Sequence, residues 1–232
     1  MPRKPRLFLP GVAVHAVQRG VNKGAIFFDD LDYLEYLRCL KRASDQYGCQ
    51  IHAYVLMTNH VHILMTPESG DSIARLFQGI SRFFVPYINE TYQRSGGLWE
   101  GRYRASLVDS EVYLLSCMRY VEMNPVRAGM VNAPGEYRWS SYPVNGLGGI
   151  NTMLTPHPAY LGLGASVEVR LPAYRELFHF SAIENDDVLL RNGLNSGTPV
   201  GSTRFMAQIE QALGRKVGFA KRGRPPKKVK EK

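Results

Sequence analysis

A chain of 232 residues that is 44% apolar can bury one large core or one core with appendages, and its net charge of +9 favours a polyanionic partner. Three cysteines, an odd number in no ligand pattern, exclude a disulfide scaffold and fit reduced thiols. No run approaches the roughly 20 apolar residues of a membrane span, and the basic start Met1-Pro-Arg-Lys-Pro-Arg6 leads into no signal-like apolar stretch. The chain therefore reads as cytoplasmic, with no membrane partner.

In chain order, Val12 to Arg19 alternates and predicts a first strand. Leu31 to Tyr47 predicts a helix with Leu34, Leu37 and Leu40 inside, stopped at Gly48. Cys49 to Met57 and His60 to Pro67 predict two strands joined so tightly that they must be antiparallel neighbours. Ser72 to Gln93 predicts a second helix kinked at Pro86, and Tyr103 to Val108 a fourth strand. Glu111 to Asn124 carries Val112, Leu115, Met118 and Val121 at helical spacing, with Ser110 as cap and Pro125 as stop or new turn. Strand–helix–strand–strand–helix–strand is the order of an α+β, ferredoxin-like split βαβ fold, an antiparallel sheet with helices on one face. Beyond it, Gly146 to Gly149 and the prolines near 156 read as loop, with short helices at 167–180 and at 202–213. The second of these is capped by Ser202.

Two features carry chemistry. In Asn59-His-Val-His62 the strand period of two puts His60 and His62 on one face, about 7 Å apart along the chain, as in two-thirds of a metal site. The plainer alternative is one edge histidine and one coincidence. Tyr120 and Asn124, four apart on a helix, present a phenol and a carboxamide on one side. Most lone tyrosines are packing aromatics. Tyr113 lies seven residues earlier on nearly the same face, but position 117 is cysteine, so it has no ligand four residues on. Glu111 and Glu122 read as solvated surface, and His15 and His52 as structural histidines in apolar strands.

Together the two features resemble the REP-associated tyrosine transposases, HUH-type single-tyrosine enzymes. The likeness lies in Asn59-His-Val-His62 and in Tyr120-Val-Glu-Met-Asn-Pro-Val-Arg-Ala-Gly129. It continues in Gln18-Arg-Gly-Val-Asn22, Leu98-Trp-Glu-Gly-Arg-Tyr103 and Trp139-Ser-Ser-Tyr142, and so covers roughly residues 5 to 145. It implies a metal-dependent single-stranded DNA endonuclease and strand transferase acting at hairpin repeats. In that reading Tyr120 is the nucleophile of a 5′-phosphotyrosine intermediate, and His60, His62 and Asn124 hold Mg²⁺ or Mn²⁺, a small, mixed, open donor set. Zinc is the other candidate, though no cysteine is placed to close a structural site. The resemblance also places guide-strand reading around Arg19 and Asn22. Trp99, Arg102 and Arg104 would make a stacking and phosphate-binding platform, against the alternative of an ordinary charged loop. Two rival readings stay open: a domesticated repeat-binding or regulatory protein with little transposition, and a hydrolytic metallonuclease in which Tyr120 is dispensable. Monomer and homodimer are both compatible with the sequence.

Three units follow: 1–145 as the nuclease domain, 146–214 as a helical accessory extension and 215–232 as a disordered basic tail. From Arg215 to Lys232 nine Lys or Arg face one Glu, which is +8 of the total +9. Within it Lys221-Arg-Gly-Arg-Pro-Pro-Lys-Lys228 resembles an AT-hook, in which Arg222 and Arg224 would enter the narrow minor groove of A·T-rich duplex. A nonspecific electrostatic tether explains the tail equally well. Either reading makes the partner nucleic acid and places the protein on the nucleoid.

Overall fold

The computed structural model describes residues 8–179 and 184–218. Four strands, β1 (Val14–Arg19), β2 (Cys49–Met57), β3 (His60–Pro67) and β4 (Arg104–Leu107), form one sheet in the order β2-β3-β1-β4. All neighbours are antiparallel, and with α1 (Asp30–Tyr47) after β1 and α2 (Ser72–Thr91) after β3 this is the ferredoxin-like arrangement. The β1–β3 register sets Arg19 opposite His60 and Val17 opposite His62, so the exit of the first strand lies beside the histidine pair.

Local chemistry fixes the two core helices. Asp29 caps α1 and Asp32 closes a capping box with it. Asp32 is fully buried and also accepts hydrogen bonds from the hydroxyls of Tyr87 on α2 and of Tyr92, its C-cap, which ties the two helices together. Gly48 ends α1 at φ 61°, a left-handed C-cap that a side chain resists. Tyr36, Leu40 and Ala43 make the inner stripe of α1. Leu34, expected in the core, is instead 52% exposed, because it sits about 200° around the helix from Tyr36. Pro86 lies inside α2 without interrupting it.

The tyrosine-bearing helix differs from expectation at both ends. α3 spans Leu114–Glu122, and a separate short helix, α4 (Asn124–Arg127), follows with Pro125 in its first turn. Ser110 caps nothing. The turn before α3 is organised by Asp109, whose carboxylate accepts the Glu111 amide while its carbonyl accepts the Tyr113 amide, and Val112 is left exposed. α3 packs on the face of the sheet opposite to α1 and α2. β2 is accordingly buried at eight of its nine positions, which requires cover on both sides. The sheet with α1 and α2 is the expected one, and the tyrosine helix lies across its histidine-bearing side.

The segment after position 140 folds as α5 (Tyr142–Asn145), α6 (Pro158–Leu161), α7 (Val167–Glu176), α8 (Glu184–Ser196) and α9 (Thr203–Leu213). Ser202 caps α9 as expected, its Oγ accepting the Phe205 amide at 3.1 Å. α8 was not anticipated, although Glu184-Asn-Asp-Asp187 opens it with acidic residues and Leu190 and Leu194 recur one turn apart. Tyr160, Tyr174, Leu190, Val200, Ile209 and Val217 of this segment join the same buried cluster as the sheet. Gly193 permits the approach of α8: a Cβ there would lie 2.3 Å from Cγ2 of Val200. Among the described residues no helix is long and apolar enough to cross a membrane.

Candidate nuclease site and DNA groove

One face of β1 and β3 carries His15, His60 and His62, and α3 lays Tyr120 over them. The Tyr120 ring meets His62 edge-on with centroids 6.0 Å apart and His15 at 5.6 Å, while His60 and His62 are 5.1 Å apart. Asn124, one turn beyond, donates its Nδ2 to the carbonyls of Tyr120 at 2.9 Å and Val121 at 3.1 Å. With the nitrogen end held by helix carbonyls, the oxygen end is the one available as a donor atom to a ligand. Tyr120, His60, His62 and Asn124 line one cleft of about 1450 Å³, with Arg127 beside them. Tyr113, the competing phenol, is not among its lining residues.

The histidine tautomers follow from their neighbours. His60 Nδ1 lies 2.6 Å from Oδ1 of Asn59, which can only accept, so Nδ1 carries the proton and Nε2 is left as a lone-pair donor. Burial, with Arg19 beside it, pushes the His60 pKa down to about 4. His62 is held well below the ordinary histidine value by burial first, then by His15, His60, Arg127 and Arg19. Both imidazoles are thus neutral near pH 7, the form in which histidine binds metal. Among the described residues no group of three or more His, Cys, Asp or Glu side chains could hold a metal. The donor set on offer is two imidazole nitrogens and one carboxamide oxygen, small and open, and it fits a hard divalent ion that keeps water or phosphate oxygens in its remaining positions.

His15 departs from its expected structural role. Its Nε2 lies 2.9 Å from Nδ1 of His62, the two rings stack, and its own Nδ1 is buried without a partner. Burial and the Arg127 charge push its pKa to about 3. His15 is thus the second-layer contact of His62, as Asn59 is of His60. Its position two residues before Val17, on the same strand face, was the available signal. His52 does behave as a structural residue, bonded through both ring nitrogens to the Thr155 carbonyl and the Thr66 hydroxyl.

Glu122, expected on a solvated surface, is fully buried. It accepts hydrogen bonds from Ser141 at 2.5 Å, Asn145 at 2.9 Å and Tyr174 at 2.7 Å, and burial raises its pKa to about 7. The reason lies in partners contributed from 140–174, which the sequence could not pair with it. Glu111 is exposed, as expected.

One arginine covers the phenol and a second shares its counter-ion. Arg127 lies 4.3 Å above the Tyr120 ring, donates to the Tyr120 carbonyl, and pairs with Asp187 of α8 at 2.9 Å. Arg119, nearly buried, pairs with the other oxygen of the same carboxylate, also at 2.9 Å, and Ser116 donates to the adjacent Asp186. One carboxylate on α8 therefore positions both guanidiniums of the tyrosine segment.

Of the expected DNA contacts, Arg19, Arg102 and Arg104 are exposed and line the cleft. Asn22 is exposed in the 3₁₀ turn Val21–Lys23 at φ 53°, just past the end of the interior strand β1 and outside the cleft lining. The turn depends on Gly20, where a Cβ would come within 2.3 Å of the Gly24 carbonyl oxygen. Trp99 does not form a platform with them. Its indole points toward Phe84 and Tyr36, with centroids 6.2 and 6.5 Å away, because an apolar ring gains more from that pocket than from solvent. Tyr103 stacks on Phe77 at 4.2 Å. Arg222 and Arg224 lie outside the described residues.

Residues 9–124, half of the chain, match the family described as IS200-like transposase. A Haemophilus influenzae protein provisionally named a REP-associated tyrosine transposase is 23% identical over 147 residues, which is 54% of this chain and 84% of that one. A solved structure of a REP-associated tyrosine transposase bound to a REP hairpin superposes with a TM-score of 0.56 at 16% identity, over 68% of this chain and 93% of that chain. The last comparison supports the fold.

Proposed function

We propose, for a chain that belongs to the IS200-like transposase family, that it cleaves single-stranded DNA beside a hairpin repeat through Tyr120 and hands the strand on from a 5′-phosphotyrosine. The observation that carries this reading is the convergence of Tyr120, His60, His62 and Asn124 on one cleft wall, with the phenol ring 6.0 Å from the His62 ring. The hairpin partner is inferred from the family together with the solved relative whose structure contains one.

In the proposed step the Tyr120 Oη attacks the scissile phosphorus, the P–O3′ bond breaks, and the 3′ oxygen leaves as a hydroxyl. The phenol proton passes to solvent, which returns one to the departing 3′ oxygen, and the phosphotyrosine keeps the ester for rejoining by a second 3′-hydroxyl. His60, His62 and Asn124 would hold Mg²⁺ or Mn²⁺. A divalent ion there supplies Lewis-acid polarisation of a nonbridging oxygen. Asn59 and His15 orient the two imidazoles from behind. Arg127 confines the phenol ring and brings a positive charge to where the attacked phosphate must arrive.

The test is a covalent trap with a 3′-labelled hairpin oligonucleotide carrying a single-stranded flank, incubated with Mn²⁺ or Mg²⁺ and run on a denaturing gel beside Tyr120→Phe. A labelled band at the mass of protein plus DNA, absent in the variant and in EDTA, is the expected result. Cleavage that survives in Tyr120→Phe without such a band would establish a hydrolytic nuclease instead. Hairpin binding with no cleavage under either metal would leave a repeat-binding protein.

A further inference from the structure

The cleft has a second wall that the tyrosine and histidines do not themselves require. α8 and the segment 215–218 face the sheet edge across it and contribute Arg191, Asn195, Arg215 and Lys216 to its lining. Arg191, Arg215 and Lys216 are exposed, and none of the ion pairs among the described residues uses them. Including these three, seven Lys or Arg line the cleft; Arg127 is paired with Asp187, and Glu100 is the one acidic residue in the lining to set against the other six. Exposed cations of one sign, gathered without counter-charges, repel one another and raise the local potential, an arrangement that a polyanion relieves.

The wall is held rigidly to the core. Arg104 donates to Asn195 at 2.8 Å, Ser106 donates to the Thr198 carbonyl at 2.6 Å, and Val200 donates its amide to Leu107 on β4 at 2.8 Å. Its position is thus set by β4 and α3 together, and the spacing across the cleft is a property of the fold. The volume, about 1450 Å³, exceeds the roughly 300–1,000 Å³ of small-molecule pockets. A single nucleic-acid strand tracked by cations on both sides fits such a space.

We infer that residues 184–218 form the second wall of a single-strand groove, in which Arg191, Arg215 and Lys216 contact phosphates across from Arg19 and Arg102. This rests on the reading of the cleft as a DNA-cleaving site. It gives the extension a task in substrate binding at the nick, so that the catalytic domain and its C-terminal helices share one strand.

The experiment compares the full chain with the triple variant Arg191→Ala, Arg215→Ala, Lys216→Ala, and with the three Arg191→Lys, Arg215→Lys, Lys216→Arg exchanges as the charge-keeping control. Fluorescence anisotropy reads affinity against salt for a hairpin with a single-stranded flank and for the same hairpin with a blunt end. Each phosphate contact to a single strand contributes about 0.7 to the slope of log K against log salt, so the alanine variant should lose about 2 from that slope on the flanked hairpin. The blunt hairpin should keep its slope, and the charge-keeping variant should behave as wild type. Arg191→Ala alone, a surface change on α8, should lose about 0.7. An unchanged slope on the flanked hairpin, or an equal loss on the blunt one, overturns the groove wall. The covalent adduct at Tyr120 is read separately: a wild-type adduct with an unchanged slope removes the wall and leaves the transferase, whereas a lost slope with no wild-type adduct removes the transferase and leaves the groove.

Discussion

Replacing Glu122 by Gln should change how stability depends on pH. Glu122 is fully buried and its pKa is raised from 4.5 to about 7, chiefly by burial. The folded chain then holds a proton that the unfolded chain releases, so the contribution is complete below about pH 4.5 and is lost as pH rises to 7. At 1.36 kcal/mol per unit, the loss is ~3 kcal/mol. Either protonation state can be accommodated, because Ser141 Oγ also lies 3.3 Å from the Tyr54 carbonyl and can turn its proton there when Glu122 becomes the donor. Glutamine keeps the shape and stays neutral throughout. Urea unfolding of both proteins from pH 5 to pH 8 should therefore show the difference in stability, variant minus wild type, rising by ~3 kcal/mol across that range. The comparison cancels His15, His60 and His62, whose depressed values make stability rise with pH as their unfolded counterparts deprotonate. Parallel curves for the two proteins would refute the argument.

Asp187→Asn should cost ~2 kcal/mol by thermal unfolding, since it strips the counter-charge from the nearly buried Arg119 and from Arg127 on a carboxylate that is itself 20% exposed. A melting temperature equal to wild type would show that the pair of bridges is inert. Tyr174→Phe should cost about 1–3 kcal/mol, more at pH 8 than at pH 5, because Glu122 Oε2 loses a buried donor that matters most when it is ionised. An equal cost at both pH values would count against it. Ser202→Ala should cost about 1 kcal/mol through the lost cap of α9, read by chemical denaturation, and Ser202→Asn should recover most of it.

The strands, α1, α2 and the histidine pair were legible because their signals are local: a period of two, a period of 3.6, a capping aspartate and a left-handed glycine. Tyr120 and Asn124 were legible together for the same reason, being one turn apart. Glu122 was misread because the absence of a local partner looks the same as exposure. Its three donors arrive from 19, 23 and 52 residues away. His15 was misread in the same way, since a histidine in an apolar strand reveals its neighbour only once the β1–β3 register is known. The indole of Trp99 packs, partly buried, against Phe84 and Tyr36, where the sequence, with Arg102 and Arg104 flanking nearby Tyr103, suggested a surface platform. α8 escaped notice because its apolar spacing is sparse and its acidic opening reads as surface. Yet its Asp187 is the residue that joins the extension to the tyrosine.

Tyr120 to Arg127 holds itself together: Asn124 and Arg127 both donate to the Tyr120 carbonyl, and the Arg127 guanidinium covers the Tyr120 ring. These eight residues behave mechanically as a cartridge, with the nucleophile, the carboxamide and the cation fixed relative to one another by their own backbone. Reaiming one reaims all three. Variation elsewhere in α3 can tilt the cartridge against the histidines, but it cannot change the internal spacing from phenol to carboxamide. Selection acting on this segment therefore has few independent dials, and tuning of the reaction falls to the surfaces the cartridge is pressed against, the sheet beneath it and α8 alongside.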